Sequence, residues 1–343
     1  MIFILLILIV LVCIGLKKAD NQEACLKKEH TDAIKGIFII IVFYSHILPY
    51  LTNAGVSFSP VLDIPANKII RMTGQLMVVM FLFYSGYGVM ESIKTKGNNY
   101  VSSIPYKRVL STLVNYALAI AVFLLMNLLL GIHFSARQYC LSLIAWETVG
   151  QSNWYIFAII CCYISTYISF VLFRKEKLTA FASTVLLLVL YIIVLSRFKE
   201  NWWYNIILSY PAGMIVSIYR NGILDWLNKR FLISATGITL LFLVLYHFSS
   251  STIIYLATSV VFAFLVFVVS YKLVITSGFL TWCGKNLFQL YVYQRVPMIA
   301  LSNLFPEMVR LHPYLYVICC LTVTLLFAVM IKPISINPKG KTR

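Results

Sequence analysis

Lys35-Gly36-Ile37-Phe38-Ile39-Ile40-Ile41-Val42-Phe43-Tyr44-Ser45-His46 is an unbroken apolar run bounded by a cation and an imidazole. The pattern predicts a membrane-spanning helix with a histidine deep inside it. Lys35 and His46 are eleven residues apart, close to three full turns, so both project from one helical face. At 1.5 Å per residue they sit about 16 Å apart along the axis, roughly half the hydrocarbon thickness. They do not touch. One can meet a ligand at the membrane edge while the other meets a different part of it nearer the midplane. An ionisable group at that depth is costly, and as a rule it faces a protein interior or a water-filled cavity where it has a task.

Composition extends this reading to the whole chain. Of 343 residues, 61% are hydrophobic and 11% charged, whereas a soluble domain carries about a quarter charged residues. The expected fold is all-α, a polytopic transmembrane helical bundle. Apolar segments recur at 2–16, 33–52, 72–90, 109–131, 154–173, 178–196, 203–219, 231–248, 251–271, 287–304 and 314–331. The first is short for a bilayer and has no basic stretch before it. It ends in Cys13-Ile14-Gly15-Leu16-Lys17-Lys18, a poor cleavage site, and reads as an extra anchor helix rather than a removable signal. No connection is long enough for a separate soluble domain, so every polar function must come from the bundle and its short loops.

The net charge of +17 does not point to nucleic acid, because the basic residues are scattered through short connections instead of forming a basic domain. Twenty Lys and Arg lie in the connections after segments one, three, five, seven and nine and in the C-terminal stretch, against six in the remaining connections. By the positive-inside rule the first set is cytoplasmic. The N-terminus is then outside, the stretch 332–343 is a basic cytoplasmic tail, and His46 lies towards the outer half. The eight cysteines form no CxxC pair and mostly fall in apolar segments, where they read as small core side chains. No His or Cys pair has ligand spacing, so no metal is expected.

Among the polar residues within spans, His46 is a candidate general base, since an imidazole titrates near working pH; the plain alternative is a histidine hydrogen-bonded to a neighbouring helix. Arg295, in Tyr291-Val292-Tyr293-Gln294-Arg295-Val296-Pro297, stands about eight residues into its span and needs a partner there. It can bind a carboxylate or phosphate bidentately or pair with an acid such as Glu91 or Glu147. Lys35 by itself reads as an anchor that snorkels to the headgroups. Lys94, Lys96, Lys107 and Arg108 make one cytoplasmic connection attractive to phosphate or to anionic lipid. On the other side Trp146, Glu147, Gln151, Asn153 and Trp154 combine aromatic and hydrogen-bonding groups, a mixture suited to a sugar ring and also to an interfacial aromatic belt.

Taken in order, these segments resemble the acyltransferase family 3 membrane proteins, which O-acylate bacterial surface and extracellular glycans. The first family helix carries an arginine, ten residues and a histidine, and Asp32-Ala33-Ile34-Lys35-Gly36 runs to His46 at that spacing, with lysine in place of arginine. Val79-Met80-Phe81-Leu82-Phe83-Tyr84-Ser85-Gly86-Tyr87 resembles the Phe-rich stretch ending in Ser-Gly, and Lys107-Arg108 opens the following span. Gly150-Gln151-Ser152-Asn153-Trp154-Tyr155-Ile156-Phe157 resembles the Trp-Phe segment. Cys283-Gly284-Lys285-Asn286-Leu287-Phe288-Gln289-Leu290-Tyr291 resembles a late Gly-Lys-x-Ser-x-x-x-Tyr stretch without its serine. The Gln294-Arg295 pair stands where some relatives carry histidine. The similarity covers about 30–331, a region of ten helices as in the family fold, which leaves 1–29 as an N-terminal anchor with a basic loop.

The resemblance implies transfer of an acyl group, most often acetyl from acetyl-CoA, to a hydroxyl of a cell-surface or exported polysaccharide or a lipid-linked saccharide, in the bacterial cytoplasmic membrane. By the same resemblance Lys35, Lys107 and Arg108 would hold the CoA thioester at the inner face. His46 would deprotonate the sugar hydroxyl or carry the acyl group, Arg295 would stabilise the oxyanion or hold the donor, and Trp146, Glu147, Asn153 and Trp154 would receive the acceptor. Ser85-Gly86 is expected to permit close helix packing. The rival reading is a transporter or flippase of a lipid-linked saccharide, which would use His46 and Arg295 as a substrate or proton path.

Overall fold

A computed structural model describes residues 2–336, so the basic tail expected at 332–343 lies outside the described residues beyond Ile336. The chain is helical almost throughout. Helix α1 (Phe3–Gly15) is about 20 Å long and runs into a short strand β1 (Leu16–Lys18). Helix α2 (Lys28–Asn53) has 26 residues, enough to cross a bilayer, and α3 (Asp63–Thr73) follows it as an amphipathic helix. Next come α4 (Leu76–Lys96), α5 (Asn98–Val101), a π-helical turn Pro105–Leu110 and α6 (Ser111–Leu129). The short α7 (Ala136–Ser142) opens on a capping box between Ser135 and Gln138 and precedes α8 (Trp154–Leu172) and α9 (Lys177–Leu195).

The second half continues with α10 (Ser209–Ile218), α11 (Arg220–His247) and α12 (Thr252–Lys272), then strand β2 (Leu273–Ile275). Four short helices follow: α13 (Gly278–Lys285), α14 (Leu287–Tyr293), α15 (Arg295–Leu304) and α16 (Pro306–Leu311); α17 (Pro313–Met330) is last. Each of the eleven apolar segments contains helix. Among the described residues eight helices are long and apolar enough to cross a membrane, and α1 and α10 are shorter apolar helices. The segment 287–304 is split into α14 and α15. Pro297 lacks an N–H, so the Tyr293 carbonyl four residues earlier loses its helical donor and the helix breaks between them. Helix α11 departs from helical geometry at Arg230, one residue before the apolar segment at 231 begins.

Helix α4 is central, with 78% of its apolar window buried, whereas the corresponding window of α11 is 0% buried and lies on the outside of the bundle. Two close helix crossings hold the bundle. Gly86 on α4 lies against the Tyr210 carbonyl of α10, and Gly213 on α10 lies against the Phe83 carbonyl of α4. Gly36 on α2 meets the Leu280 carbonyl of α13, and Gly284 on α13 meets the Asp32 carbonyl of α2. A Cβ at any of these four positions would strike backbone, so small residues are what let the helices approach. The Ser85-Gly86 pair thus has the packing role expected of it.

Tertiary bonds sort the connections into two ends. At one, β1 pairs antiparallel with β2, Arg220 pairs with Glu23 at 2.8 Å, and Lys94 Nζ donates to the Ser217 carbonyl. At the other, Asn205 donates to Gln75, the Tyr246 hydroxyl to the Met72 carbonyl, and Lys199 to the Trp146 carbonyl. The first end contains the Lys- and Arg-rich connections and is called the basic end below; the second is the far end.

Candidate active site

Helix α2 carries a polar stripe: Asp32, Lys35, His46 and Tyr50, at spacings of three, eleven and four residues, project from one face. At the basic end Lys35 Nζ pairs with Asp32 Oδ1 at 2.7 Å. Asp32 is buried, and its Oδ2 has no hydrogen-bond partner in the protein. Lys35 is therefore held by an acid one turn earlier. Farther along the stripe, the His46 ring faces Tyr291 of α14 with centroids 6.2 Å apart. Arg295, the first residue of α15, makes one long contact of 3.5 Å to the Tyr50 hydroxyl and lies close enough to act electrostatically on His46.

The break between α14 and α15 concentrates polar groups at this level. Gln294 is fully buried and donates its Nε2 to the Tyr291 carbonyl, while Tyr291 packs its ring 5.2 Å from Tyr155 of α8. Four buried atoms here have no hydrogen-bond partner in the protein: His46 Nδ1, Tyr291 Oη, Gln294 Oε1 and Arg295 Nε. Each such group costs about 1–3 kcal/mol when left unsatisfied. Donors and acceptors gathered in this way are suited to a polar ligand. The acids considered for Arg295 are engaged elsewhere. Glu91 accepts from Ser217 at 2.6 Å and pairs with Lys94, and Glu147 lies 3.9 Å from Lys199.

Above this centre the connection before α8 turns into the bundle, and Val149, Gln151, Ser152 and Asn153 are buried. Gln151 organises it: Oε1 accepts from the Val149 amide at 2.8 Å and Nε2 donates to the Tyr116 hydroxyl at 3.0 Å. Asn127 donates to the Val149 carbonyl, and Asn153 donates to the carbonyl of Ala145, which has a φ of 61°. Irregular backbone at membrane depth is tolerated only when it is buried and satisfied in this way. Gly150, at φ 121°, leaves no room for a side chain between Ile299 and Phe123. The turn sets Ser152 beside Tyr291.

From the centre a line of tyrosines leads to the basic end. Tyr155 touches Tyr291, Ser85 stands beside the hydroxyls of both Tyr155 and Tyr163, and the Arg108 guanidinium lies 5.8 Å from the Tyr163 ring. Arg108 Nε also donates to the Tyr100 hydroxyl at 3.2 Å. Arg108, Lys107, Lys96, Tyr100 and Ser103 line a cavity of about 680 Å³, whose cations and hydroxyls suit phosphate.

The structure thus brings His46 and Arg295 together, and Lys107 and Arg108 together. It leaves Lys35 in a separate ion pair. Trp146 and Glu147 belong to a different cluster, in which Lys199 Nζ sits 4.3 Å from the Trp146 ring and 4.5 Å from the Trp203 ring. A cation already covers one face of Trp146. Asn153 braces the turn, and half-buried Trp154 packs on Tyr155 at 6.3 Å. Sequence reading did not single out Asp32, Tyr50 or Tyr291. The first two carry a local signal, since they lie three and four residues from Lys35 and His46 on the same face. Tyr291 carries a motif signal instead, as the closing tyrosine of the stretch Gly284–Tyr291.

These features define a membrane-embedded polar centre joined by a line of hydroxyls to a basic cavity at one end of a helical bundle. The chain matches the acyltransferase domain model of acyltransferase family 3 over residues 31–332, and it belongs to that family: it is a membrane acyltransferase. No curated protein and no solved structure matches it.

Proposed function

We propose that this acyltransferase moves an acetyl group from acetyl-CoA to a sugar hydroxyl of a cell-surface or exported polysaccharide, working from the cytoplasmic membrane with its basic end in the cytoplasm. The observation that carries this reading is the set of unpartnered buried atoms around His46, joined through Tyr291, Tyr155 and Tyr163 to the cavity at Arg108. Coenzyme A is cytoplasmic and carries phosphates. Lys107 and Arg108 supply the charge to hold them, and the Lys35–Asp32 pair offers a second cation at the same end. A thin pantetheine arm suits the line of tyrosines and would bring the thioester to His46.

There His46 takes the proton of the incoming hydroxyl or carries the acyl group itself. Arg295 offsets the negative charge that develops on the carbonyl oxygen. Trp154, beside Tyr155, is the acceptor residue nearest the centre; Trp146, Glu147 and Asn153 would act on the acceptor from the rim.

Purified protein given acetyl-CoA and host glycan should release free thiol and acetylate the glycan, and His46→Ala should abolish both at normal protein abundance. Movement of a lipid-linked saccharide across vesicles without covalent change would instead establish transport. Orientation has its own test: Cys140, exposed on α7 at the far end, should react in intact cells with a thiol reagent that does not cross the membrane.

A further inference from the structure

Tyr291 is a full-length aromatic side chain only 1% exposed, and its hydroxyl has no hydrogen-bond partner in the protein, although Ser152 and Tyr116 stand near it. Several other buried tyrosines are satisfied; Tyr84 is not, and it stands beside Cys25 and Ser270 instead of His46. Tyr44 donates to Asn67 at 2.7 Å, Tyr316 to the Met298 carbonyl at 2.9 Å, and Tyr210 shares a hydrogen with Thr166 at 3.0 Å. A phenol in an apolar core without a partner is less favourable than a phenylalanine of the same shape. At this place the polar atom is therefore a cost to the fold.

Its surroundings suggest what the hydroxyl serves. The Tyr291 ring lies between His46, at 6.2 Å, and Tyr155, at 5.2 Å, and Arg295 is one helical turn farther along the broken helix. We propose that the Tyr291 hydroxyl is a catalytic hydrogen-bond donor to the reacting carbonyl, paired with Arg295 in a two-donor oxyanion site on the α14–α15 break. This rests on the acyl-transfer reading given above. In the step it serves, the sugar oxygen bonds to the carbonyl carbon and the carbon–sulfur bond breaks. The electron pair leaves on sulfur, and the hydroxyl proton passes through His46 to that sulfur. Tyr291 keeps its own proton and donates a hydrogen bond that strengthens as the carbonyl oxygen becomes negative.

The experiment compares Tyr291→Phe with Tyr116→Phe in purified protein, reading kcat and KM for both substrates and the thermal midpoint. Tyr291→Phe should lower kcat about a hundredfold, leave both KM values within about twofold, and keep or raise Tm because no bond is lost. Tyr116→Phe removes an acceptor used by Gln151 and should do the reverse, lowering Tm while kcat stays near the parent value. A parent kcat in Tyr291→Phe, or a loss that follows a fall in Tm, overturns the proposal. If His46→Ala is inactive while Tyr291→Phe is fully active, only this inference fails. If His46→Ala still transfers acyl groups, the reading of the centre itself fails.

Discussion

Two regions that touch each other handle polar groups in opposite ways. In the turn 145–153, Gln151, Asn153, Asn127 and Tyr116 give nearly every buried donor and acceptor a partner within the protein. Against it, His46, Tyr291, Gln294 and Arg295 each keep a buried atom with none. Both contain buried residues, Gln151 and Asn153 in one and Tyr291 and Gln294 in the other, so burial alone does not distinguish them. What differs is where the hydrogen bonds go. A satisfied network rigidifies the protein, whereas unsatisfied groups held in place by that network are available to something that binds.

The contrast predicts that substitutions in the two regions separate into activity effects and stability effects. The largest effect is expected for His46→Ala, which should reduce acyl transfer by about a thousandfold or more with little change in Tm, since His46 Nδ1 loses no bond. A matching fall in Tm would show that His46 is structural and would break the comparison. Gln151→Leu should act in the opposite direction. It strands the Val149 amide and the Tyr116 hydroxyl, at a cost of about 3 kcal/mol, visible as a lower Tm under conditions where the folded fraction still turns over.

Arg295→Lys keeps the charge and loses the planar fork. Because Arg295 has only one long contact to Tyr50, the protein should remain folded while kcat falls about tenfold. The smallest effect is expected at the rim. Lys199→Ala removes a cation held between two tryptophans, should cost about 1 kcal/mol, and should shift the KM for the glycan about twofold, because it frees the Trp146 face at the rim. An unchanged glycan KM would make Trp146 a bracing residue and draw the functional region in to Trp154.

Much of the fold was legible in the chain. The eleven apolar segments all contain helix and the Lys- and Arg-rich connections gather at one end, whereas 287–304, read as one segment, is two helices. The site was legible in part. Lys107 and Arg108 share a cavity as neighbours in sequence must, and His46 and Arg295 stand out because charged or ionisable residues are rare within spans. The resemblance gave Lys35 to the CoA thioester together with Lys107 and Arg108, and its ion pair with Asp32 was not read from the sequence. Trp146 read as a sugar platform or a belt residue, and the cation that covers one of its faces, Lys199, lies 53 residues later in the chain.

Sequence by itself determined the local and one-dimensional properties: helix periodicity, the shared face of Lys35 and His46, and the preference of each segment for lipid over water. These depend on a residue and its near neighbours. Only the tertiary structure decided which buried polar atoms are satisfied. The partners that decide it lie far apart in the chain: Arg295 and Tyr50 are 245 residues apart, and Gln151 and Tyr116 are 35 apart. A tyrosine with a hydrogen-bond partner and one without look alike in the sequence, because hydrogen-bond satisfaction belongs to the packed pair and not to the residue.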